Sequence, residues 1–197
     1  MAITSYSTLK TAIENWSHRS DLDSVIDDFI DLAESRLNRL LRVSQMETRS
    51  TSPASTEYLA MPTDLLAIRN IQLNTNPVQM LSFLSPAEMD RIANNSIDLA
   101  YYSIVGDEIQ LNATSGSSIE IDYYAKIPAL SDSTTSNWVL ESHPEAYLYG
   151  CLAEAFKYGM DEEQATKYHN LFNEVIQQIR TLDFSRKYSQ NLTVRVA

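Results

Sequence analysis

The segment that most constrains the fold of this chain is residues 137–182, which reads as two helices joined by a short break. In the first helix, apolar residues recur at helical spacing and define one face. These residues are Leu148, Cys151, Leu152, Ala155 and Phe156. Ala146, Gly150 and Ala153 form a stripe of small residues beside that face, where another backbone could approach closely. The sequence therefore predicts a helical hairpin that packs against further helices.

Capping residues predict where these two helices begin and end. Ser142 and Glu145 have the spacing of a capping box, and Pro144 between them is compatible with a first turn. Gly159 is the expected end of the first helix, because glycine readily adopts the left-handed conformation that satisfies the last carbonyl groups. Asp161 is the expected cap of the second helix, whose apolar residues alternate at three and four positions. They are Ala165, Tyr168, Phe172, Val175, Ile179 and Leu182.

Two further helices are expected near the N-terminus. The first covers about residues 5–18 and carries Leu9, Ile13 and Trp16 on one side. The second covers about residues 24–42, and its wide apolar face predicts contact with more than one neighbour. Its charges are sorted along the helix dipole, which they stabilise. The early acidic residues are Asp27, Asp28 and Asp31, and the late basic residues are Arg36, Arg39 and Arg42. We prefer a dipole-matched surface to a metal site here; contact of the arginines with an acidic neighbouring subunit is the alternative.

The middle of the chain changes to a period-two pattern, which is typical of short strands. Strands are expected at 46–51, 57–61, 68–73, 78–83, 99–105, 108–112 and 118–126, with a helical turn at 85–94. Gly106 and Asp107 fit a two-residue hairpin turn, and strands at such short intervals favour antiparallel pairing.

These patterns predict an α+β protein with four segments. Residues 1–44 form N-terminal helices, and residues 45–128 form a small antiparallel β domain. Residues 129–183 form a C-terminal helical hairpin that packs with the N-terminal helices in one helical layer. Residues 184–197 form an extended C-terminal arm.

Composition excludes several classes of function. The 197-residue chain carries a formal charge of −11, which argues against a general nucleic-acid binder because such proteins need a basic face. One cysteine excludes an internal disulfide framework. The chain shows no secretory leader and no apolar run long enough to cross a bilayer, so we expect a soluble protein that is not exported and has no membrane partner.

Residues for catalysis are scarce in the sequence. The four glycines stand apart and no serine lies in a nucleophile elbow. Cys151 lies on an apolar helix face, where a buried and inert thiol is expected. The three histidines lack metal-ligand spacing, and His143 is expected to hydrogen-bond within the turn before its helix. We therefore expect no enzyme activity, no cofactor and no metal site.

A series of short motifs follows one order along most of the chain. In the C-terminal half these residues are Tyr123, Tyr124, Ile127, Pro128, Ala129, Leu130, Asn137, Trp138, His143, Pro144, Tyr147, Leu148, Tyr149 and Gly150. The N-terminal half adds residues 29–34, 41–42 and 61–66. In this order and spacing the chain resembles the head-to-tail adaptor (connector) proteins of short-tailed phages.

The resemblance implies a structural protein of the virion, assembled in the cytoplasm of a host bacterium. Such a chain would form a ring, of twelve copies, under the portal protein, and would carry the tail nozzle or tube protein and tail fibres. Genomic DNA would pass through the ring without sequence-specific binding, since an acidic channel repels DNA. One alternative is a stopper or tail-completion protein farther down the tail. Another is a small ligand-binding or enzymatic domain that uses Glu120 and Asp122.

Three further expectations concern the surfaces of such an assembly. The eleven tyrosines suit subunit boundaries, because a tyrosine buries a large ring while its hydroxyl keeps a polar partner. The resemblance places Trp138 at the join with the β domain, as a packed anchor. The arm is locally basic, and its last apolar residues alternate as in a strand, so we expect it to bind portal or a neighbouring subunit. The residues expected to bind are Arg186, Lys187, Tyr188, Leu192, Val194, Arg195 and Val196.

Overall fold

The computed structural model describes residues 2–92 and 99–188. The chain divides into two compact units. The helical unit combines Met1–Gln45 with Ile127–Ala197, and the β unit is Met46–Lys126. The β unit lies within the range 45–128 that the sequence indicates for a β domain.

The helices and strands of the described residues follow the α+β pattern that the sequence predicts. The helices are α1 (Tyr6–Ser17), α2 (Ile26–Leu40), α3 (Pro86–Ile92), α4 (Trp138–Ser142), α5 (Pro144–Tyr158) and α6 (Glu162–Tyr188), with a 3₁₀ turn at Ser44–Met46. The strands are β1 (Glu47–Pro53), β2 (Tyr58–Ala60), β3 (Leu65–Leu73), β4 (Gln79–Met80), β5 (Ser82–Phe83), β6 (Tyr101–Val105), β7 (Glu108–Leu111) and β8 (Ser118–Ala125).

The helical unit is built around α5, which packs against α1, α2 and α6. Apolar faces from all four helices form its core, because each helix carries buried residues at three- and four-residue spacing. The buried side chains include Leu9, Ile13, Ile26, Ile30, Leu37, Leu148, Leu152, Phe172 and Ile176. Two residues predicted for these faces are exposed instead: Trp16 is 48% exposed and Leu182 is 60% exposed. Leu182 is uncovered because the 27-residue α6 is much longer than the 15-residue α5.

The structure corrects one predicted helix start and the backbone conformation expected at one helix end. Ser142 lies inside α4 and forms no capping box; instead Asn137 caps α4. Pro144 is the first residue of α5, as the sequence indicated. Gly159 follows the last residue of α5 as its C-cap, as predicted, but its φ is −76° and the left-handed residue is Met160 at φ 59°. The predicted cap at Asp161 is confirmed, because its Oδ1 accepts a hydrogen bond from the Gln164 N–H at 3.1 Å.

Two four-stranded sheets form the described part of the β unit. One has the strand order β1-β8-β3-β4 and the other has the order β2-β7-β6-β5. The central strand β8 pairs antiparallel with both neighbours, so that Ile121 lies opposite Ser50 of β1 and Ile71 of β3. Its alternation is confirmed, since Ile119, Ile121 and Tyr123 are buried. Gly106, at φ 62°, makes the predicted hairpin turn between β6 and β7.

The predicted strand at 78–83 is divided between the two sheets. β4 pairs with β3, whereas β5 pairs with β6. The change occurs at Leu81, which is buried and whose N–H donates to the Ile71 carbonyl at 2.9 Å. The β5–β6 pair is parallel, so the expectation of antiparallel pairing holds for the other described strand pairs but not for this one.

Candidate functional site

The motif residues of 127–150 meet in a buried polar network of the helical unit. The Asn137 Nδ2 group donates to the Pro128 carbonyl and to the Tyr147 hydroxyl, both at 2.7 Å. The Tyr147 O–H donates to Glu34 Oε1 at 3.1 Å, and the same oxygen accepts the Leu130 N–H at 2.7 Å. We call Glu34, Asn137 and Tyr147 the latch. It ties the segment 127–137 to α2 and α5.

Asn137 occupies its position because it serves two local structures at once. Its backbone is extended, with φ −144° and ψ 170°, and its Oδ1 accepts the Leu140 N–H at 3.0 Å to cap α4. The other side of the amide makes the two latch bonds. A second asparagine, Asn38 of α2, accepts the Ile127 N–H at 2.9 Å and holds the start of the same segment. Aspartate could not replace Asn137, because the two latch bonds need the N–H groups of its amide, whereas Asn38 acts here as an acceptor.

Burial dominates the electrostatics of the latch. Glu34 is 6% exposed, and desolvation raises the pKa of its carboxyl group, although hydrogen bonds from Leu130 and Tyr147 oppose this shift. Desolvation also raises the pKa of the Tyr147 hydroxyl, with a further contribution from the charge on Glu34. Tyr147 therefore stays protonated and remains a hydrogen-bond donor to the carboxylate.

The sequence alone did not assign a role to Glu34. It belongs to the motif at 29–34, but no catalytic or capping pattern includes it. Its position along α2 could have indicated its burial. Glu34 follows Ala33 and precedes Leu37 by three residues, which places a carboxylate on the buried face of the helix. A charged residue on such a face is rarely buried unless it has hydrogen-bond partners.

The small-residue stripe of α5 lets three helices approach closely, as predicted. A Cβ atom at Gly150 would lie 3.1 Å from Ala33 Cβ and 3.3 Å from the Phe172 ring. Ala146 and Ala153 are also buried. Gly150 is therefore required by the packing of α2 and α6 on α5.

His143 and Pro144 shape the junction between α4 and α5. The His143 N–H donates to the Val139 carbonyl at 2.7 Å, and its own carbonyl accepts the Ala146 N–H at 3.0 Å. Its Nδ1 lies 3.7 Å from Glu145 Oε1. These contacts agree with a structural role for His143 in the turn before α5.

Tyr149 belongs to an aromatic cluster that joins α1, α5 and α6. Its ring centroid lies 6.4 Å from that of Trp16 and 6.1 Å from that of Tyr168. Phe156 stacks on Tyr168 with 5.3 Å between the ring centroids. Because Trp16 is half exposed, part of this cluster is open to a partner.

Trp138 is partly buried at the first turn of α4. We expect Trp138→Ala to lower the free energy of unfolding by about 2–3 kcal/mol, below the upper values for a fully buried aromatic residue, because Trp138 is only partly buried. Thermal and urea unfolding measure the change. The neighbouring fully buried Leu140 gives the matched control, since Leu140→Ala should cost about 2–5 kcal/mol. A negligible loss at Trp138 would contradict its packing role.

The basic residues of the predicted arm lie partly in a helix. α6 continues to Tyr188, so Arg186, Lys187 and Tyr188 are helical and the predicted extended arm does not begin at 184. Asp183 stabilises these last turns, because it accepts the Ser44 N–H at 2.8 Å and lies 3.2 Å from Lys187 Nζ. The remaining arm residues, Leu192, Val194, Arg195 and Val196, lie outside the described residues.

The charged side chains that the sequence singled out for an enzymatic site or for contact with another subunit have partners within the chain. Asp122 and Glu120 contact Arg49 at 2.7 Å and 3.2 Å. Arg36, one of the late arginines of α2, pairs with the buried Glu154 of α5. Cys151 is buried, and desolvation raises its pKa far above the usual range of a thiol. Within 2–92 and 99–188, no group of His, Cys, Asp and Glu side chains could hold a metal ion.

Comparison with known proteins gives the family. A family model described as SU10 adaptor protein matches residues 4–195. The chain belongs to the SU10 adaptor protein family. The expected resemblance to phage adaptors is thereby confirmed. A search of curated proteins found no match.

Membership of the SU10 adaptor family makes this chain a structural phage protein and a component of the virion. The family is a structural one rather than an enzyme family, and an adaptor contacts other phage head or tail proteins. None of the helices in the described residues combines the length and apolar composition of a membrane span. In this context the latch is a structural device that holds the adaptor's helices together.

Proposed function

We propose that this SU10 adaptor chain forms a ring of twelve copies under the portal protein, at the junction of phage head and tail. The ring extends the DNA channel and carries the tail nozzle or tube protein and the tail fibres. It assembles in the cytoplasm of the host bacterium. The match to the SU10 adaptor family over residues 4–195 is the observation that carries this proposal.

The surface of the helical unit is consistent with an assembly protein. Trp16 and Tyr158 are 48% and 57% exposed, and Met160 is 90% exposed. Aromatic residues and methionine are enriched where protein surfaces meet. The net charge of −11 per copy makes a ring of these chains strongly acidic, so DNA passes through without being held.

In this proposal the part of the C-terminal arm that follows α6, residues 189–197, provides the attachment to portal. Leu192, Val194 and Val196 alternate with polar residues, a pattern that suits an added strand on the edge of a partner's sheet. Arg186, Lys187 and Tyr188 lie in the last turn of α6 and connect the arm to the helical unit. Ordering the arm costs conformational entropy, so its binding depends on presentation in many copies around a ring.

Light scattering on the free chain and on its mixture with purified portal tests this proposal. We expect a monomer or small oligomer alone and a ring only with portal. A chain truncated after Tyr188 should melt at nearly the same temperature and fail to attach to portal, because all described residues of the helical unit are kept while the arm is lost.

Two full-length variants separate the arm's side chains from its length. Replacing Leu192, Val194 and Val196 by serine should weaken attachment to portal, whereas serine at Gln190, Asn191 and Thr193 should not. Complete portal-bound rings of the truncated chain would show that the arm is not the attachment. If the full-length chain never binds portal, the proposed head-to-tail adaptor function itself is wrong.

A further inference from the structure

The helical unit sorts its charges between two opposite ends. α2 and α6 run in the same direction on either side of Gly150: Ala33 and Phe172 both contact that residue, and the Arg180 guanidinium donates to the Leu40 carbonyl. Their N-terminal ends therefore lie at one end of the unit, and their C-terminal ends lie at the other.

Carboxylates collect at the end where α2 and α6 begin. We call this surface the acidic end; its exposed carboxylates are Asp21, Asp23, Asp28, Asp161, Glu162 and Glu163. Arg19 connects the segment before α2 with the end of α5, since its guanidinium lies 6.0 Å above the Tyr158 ring and pairs with Asp21 at 2.6 Å.

Cations collect at the end where α2 and α6 finish. We call this surface the basic end; its cations are Arg39, Arg42, Arg180, Arg186 and Lys187. Contacts within the unit bring them together, because Asp183 of α6 accepts the Ser44 N–H just beyond α2 and also pairs with Lys187. Asp183 is the carboxylate of α6 nearest these five cations in sequence.

We propose that the basic end of one copy of this chain docks against the acidic end of a second copy. This contact is heterologous, so each copy presents two different surfaces, as a subunit of a closed ring must. The proposal rests on the proposed ring and names its subunit contact. Opposite charges on the two surfaces attract and orient the copies, while two like ends repel one another.

The length of α6 provides a decisive test. Glu162 and Lys187 stand at its two ends, about 37 Å apart at 1.5 Å per residue. A carbodiimide joins an amine directly to a carboxylate, so a link between Lys187 and Glu162 must connect two copies. We expect mass spectrometry of the cross-linked free chain at high concentration to find Lys187 joined to Glu162 and its neighbours Asp161 and Glu163.

Salt provides the first check on the nature of the contact. Raising the salt from about 0.05 M to 0.5 M should lower the yield of this cross-link about tenfold, because exposed charges are screened. An unchanged yield would overturn the electrostatic contact. Links from Lys187 that reach only its own Asp183, or carboxylates of the β unit, would overturn the docking of the two ends.

Charge reversal tests the two ends separately. One variant carries Asp23→Lys, Asp28→Lys and Glu163→Lys at the acidic end, and the other carries Arg39→Glu and Arg186→Glu at the basic end. Each variant retains Glu162 and Lys187 as reporters. Each alone should lose about tenfold in cross-link yield, since the altered end then carries about as many positive as negative charges and no longer attracts the other end. An equimolar mixture should regain the link between unlike copies, which isotope labelling identifies.

A matched control reverses three exposed carboxylates of the β unit, through Asp90→Lys, Asp107→Lys and Glu108→Lys. This variant changes the net charge as much as the acidic-end variant and should keep the cross-link. Equal losses in the two variants, or a mixture without recovery, would overturn the proposal. Portal attachment is measured separately. If the chain cross-links end to end but never binds portal, the proposed adaptor function is wrong and the contact between the two ends is still supported.

Discussion

Replacing Glu34 by alanine is expected to lower the free energy of unfolding by about 2–4 kcal/mol at neutral pH. The alanine leaves two buried donors, the Leu130 N–H and the Tyr147 O–H, without the oxygen that accepts both. Each buried donor without a partner costs about 1–3 kcal/mol, and removal of a desolvated charge offsets part of the loss. Urea unfolding followed by circular dichroism measures the change.

Glu34→Gln separates the acceptor from the charge. Glutamine keeps an oxygen for Leu130 and Tyr147, so this variant should be as stable as the wild type at neutral pH or more stable. The raised pKa of Glu34 means that the folded state favours the protonated carboxyl group. The stabilisation that comes from this preference is therefore fully present below the ordinary glutamate pKa of 4.5. It is lost as the pH rises through the higher pKa that Glu34 has in the folded state.

The expected measurement is a difference between two pH profiles. The stability of Glu34→Gln relative to the wild type should increase as the pH rises above about 4.5 and should become constant once Glu34 is ionised in the folded chain. Parallel profiles across this range would show that Glu34 is not desolvated. A Glu34→Gln variant as unstable as Glu34→Ala would show that the carboxylate charge itself is needed.

Local patterns in the sequence predicted most of the elements and most residues of their apolar faces. The spacing in α5 and the alternation in β8 predicted Leu148, Leu152, Ile119 and Ile121 as buried, and they are. Such predictions succeed because burial of a regular helix or strand repeats with the period of that element.

Contacts between distant segments could not be predicted in this way. The latch joins Glu34 to Leu130 and Tyr147, residues about a hundred positions away in sequence. No local rule distinguishes Glu34 from a surface glutamate until α5 and the segment 127–137 are placed against α2. The resemblance identified the motif residues, but only the packed helices show that Asn137 and Tyr147 share one network.

The errors at the helix ends have a similar origin. Ser142 has a favourable capping sequence, but Asn137 caps an earlier short helix because its amide also bonds to Pro128 and Tyr147. At the other end of the chain, apolar periodicity stops at Leu182 although α6 continues to Tyr188. An ion pair from Asp183 to Lys187 and the contact of Asp183 with Ser44 support turns that bury little apolar surface.

Gly150→Leu is expected to destabilise the helical unit by about 3 kcal/mol or more, because the added atoms have no space between α2 and α6. Even the Cβ of Gly150→Ala would lie only 3.1 Å from Ala33 Cβ and 3.3 Å from the Phe172 ring. Alanine is favoured over glycine inside a helix by about 1 kcal/mol, so this smaller change should give a smaller loss. Unfolding in urea measures both.

Gly159→Ala is the matched control for this prediction. Its added Cβ would approach Arg19 Nη1 at 2.9 Å, but that atom is the end of a flexible, partly exposed side chain that can move away. A loss at Gly159 equal to that at Gly150 would therefore contradict an explanation based on close helix packing.

A double variant extends the test, since Ala33→Gly removes the atom that Gly150→Ala meets most closely. The two substitutions should be coupled by about 0.5–3 kcal/mol, so that Gly150→Ala costs less in the Ala33→Gly background. Additive losses would place the strain at Phe172, where Phe172→Leu is the substitution that should relieve it.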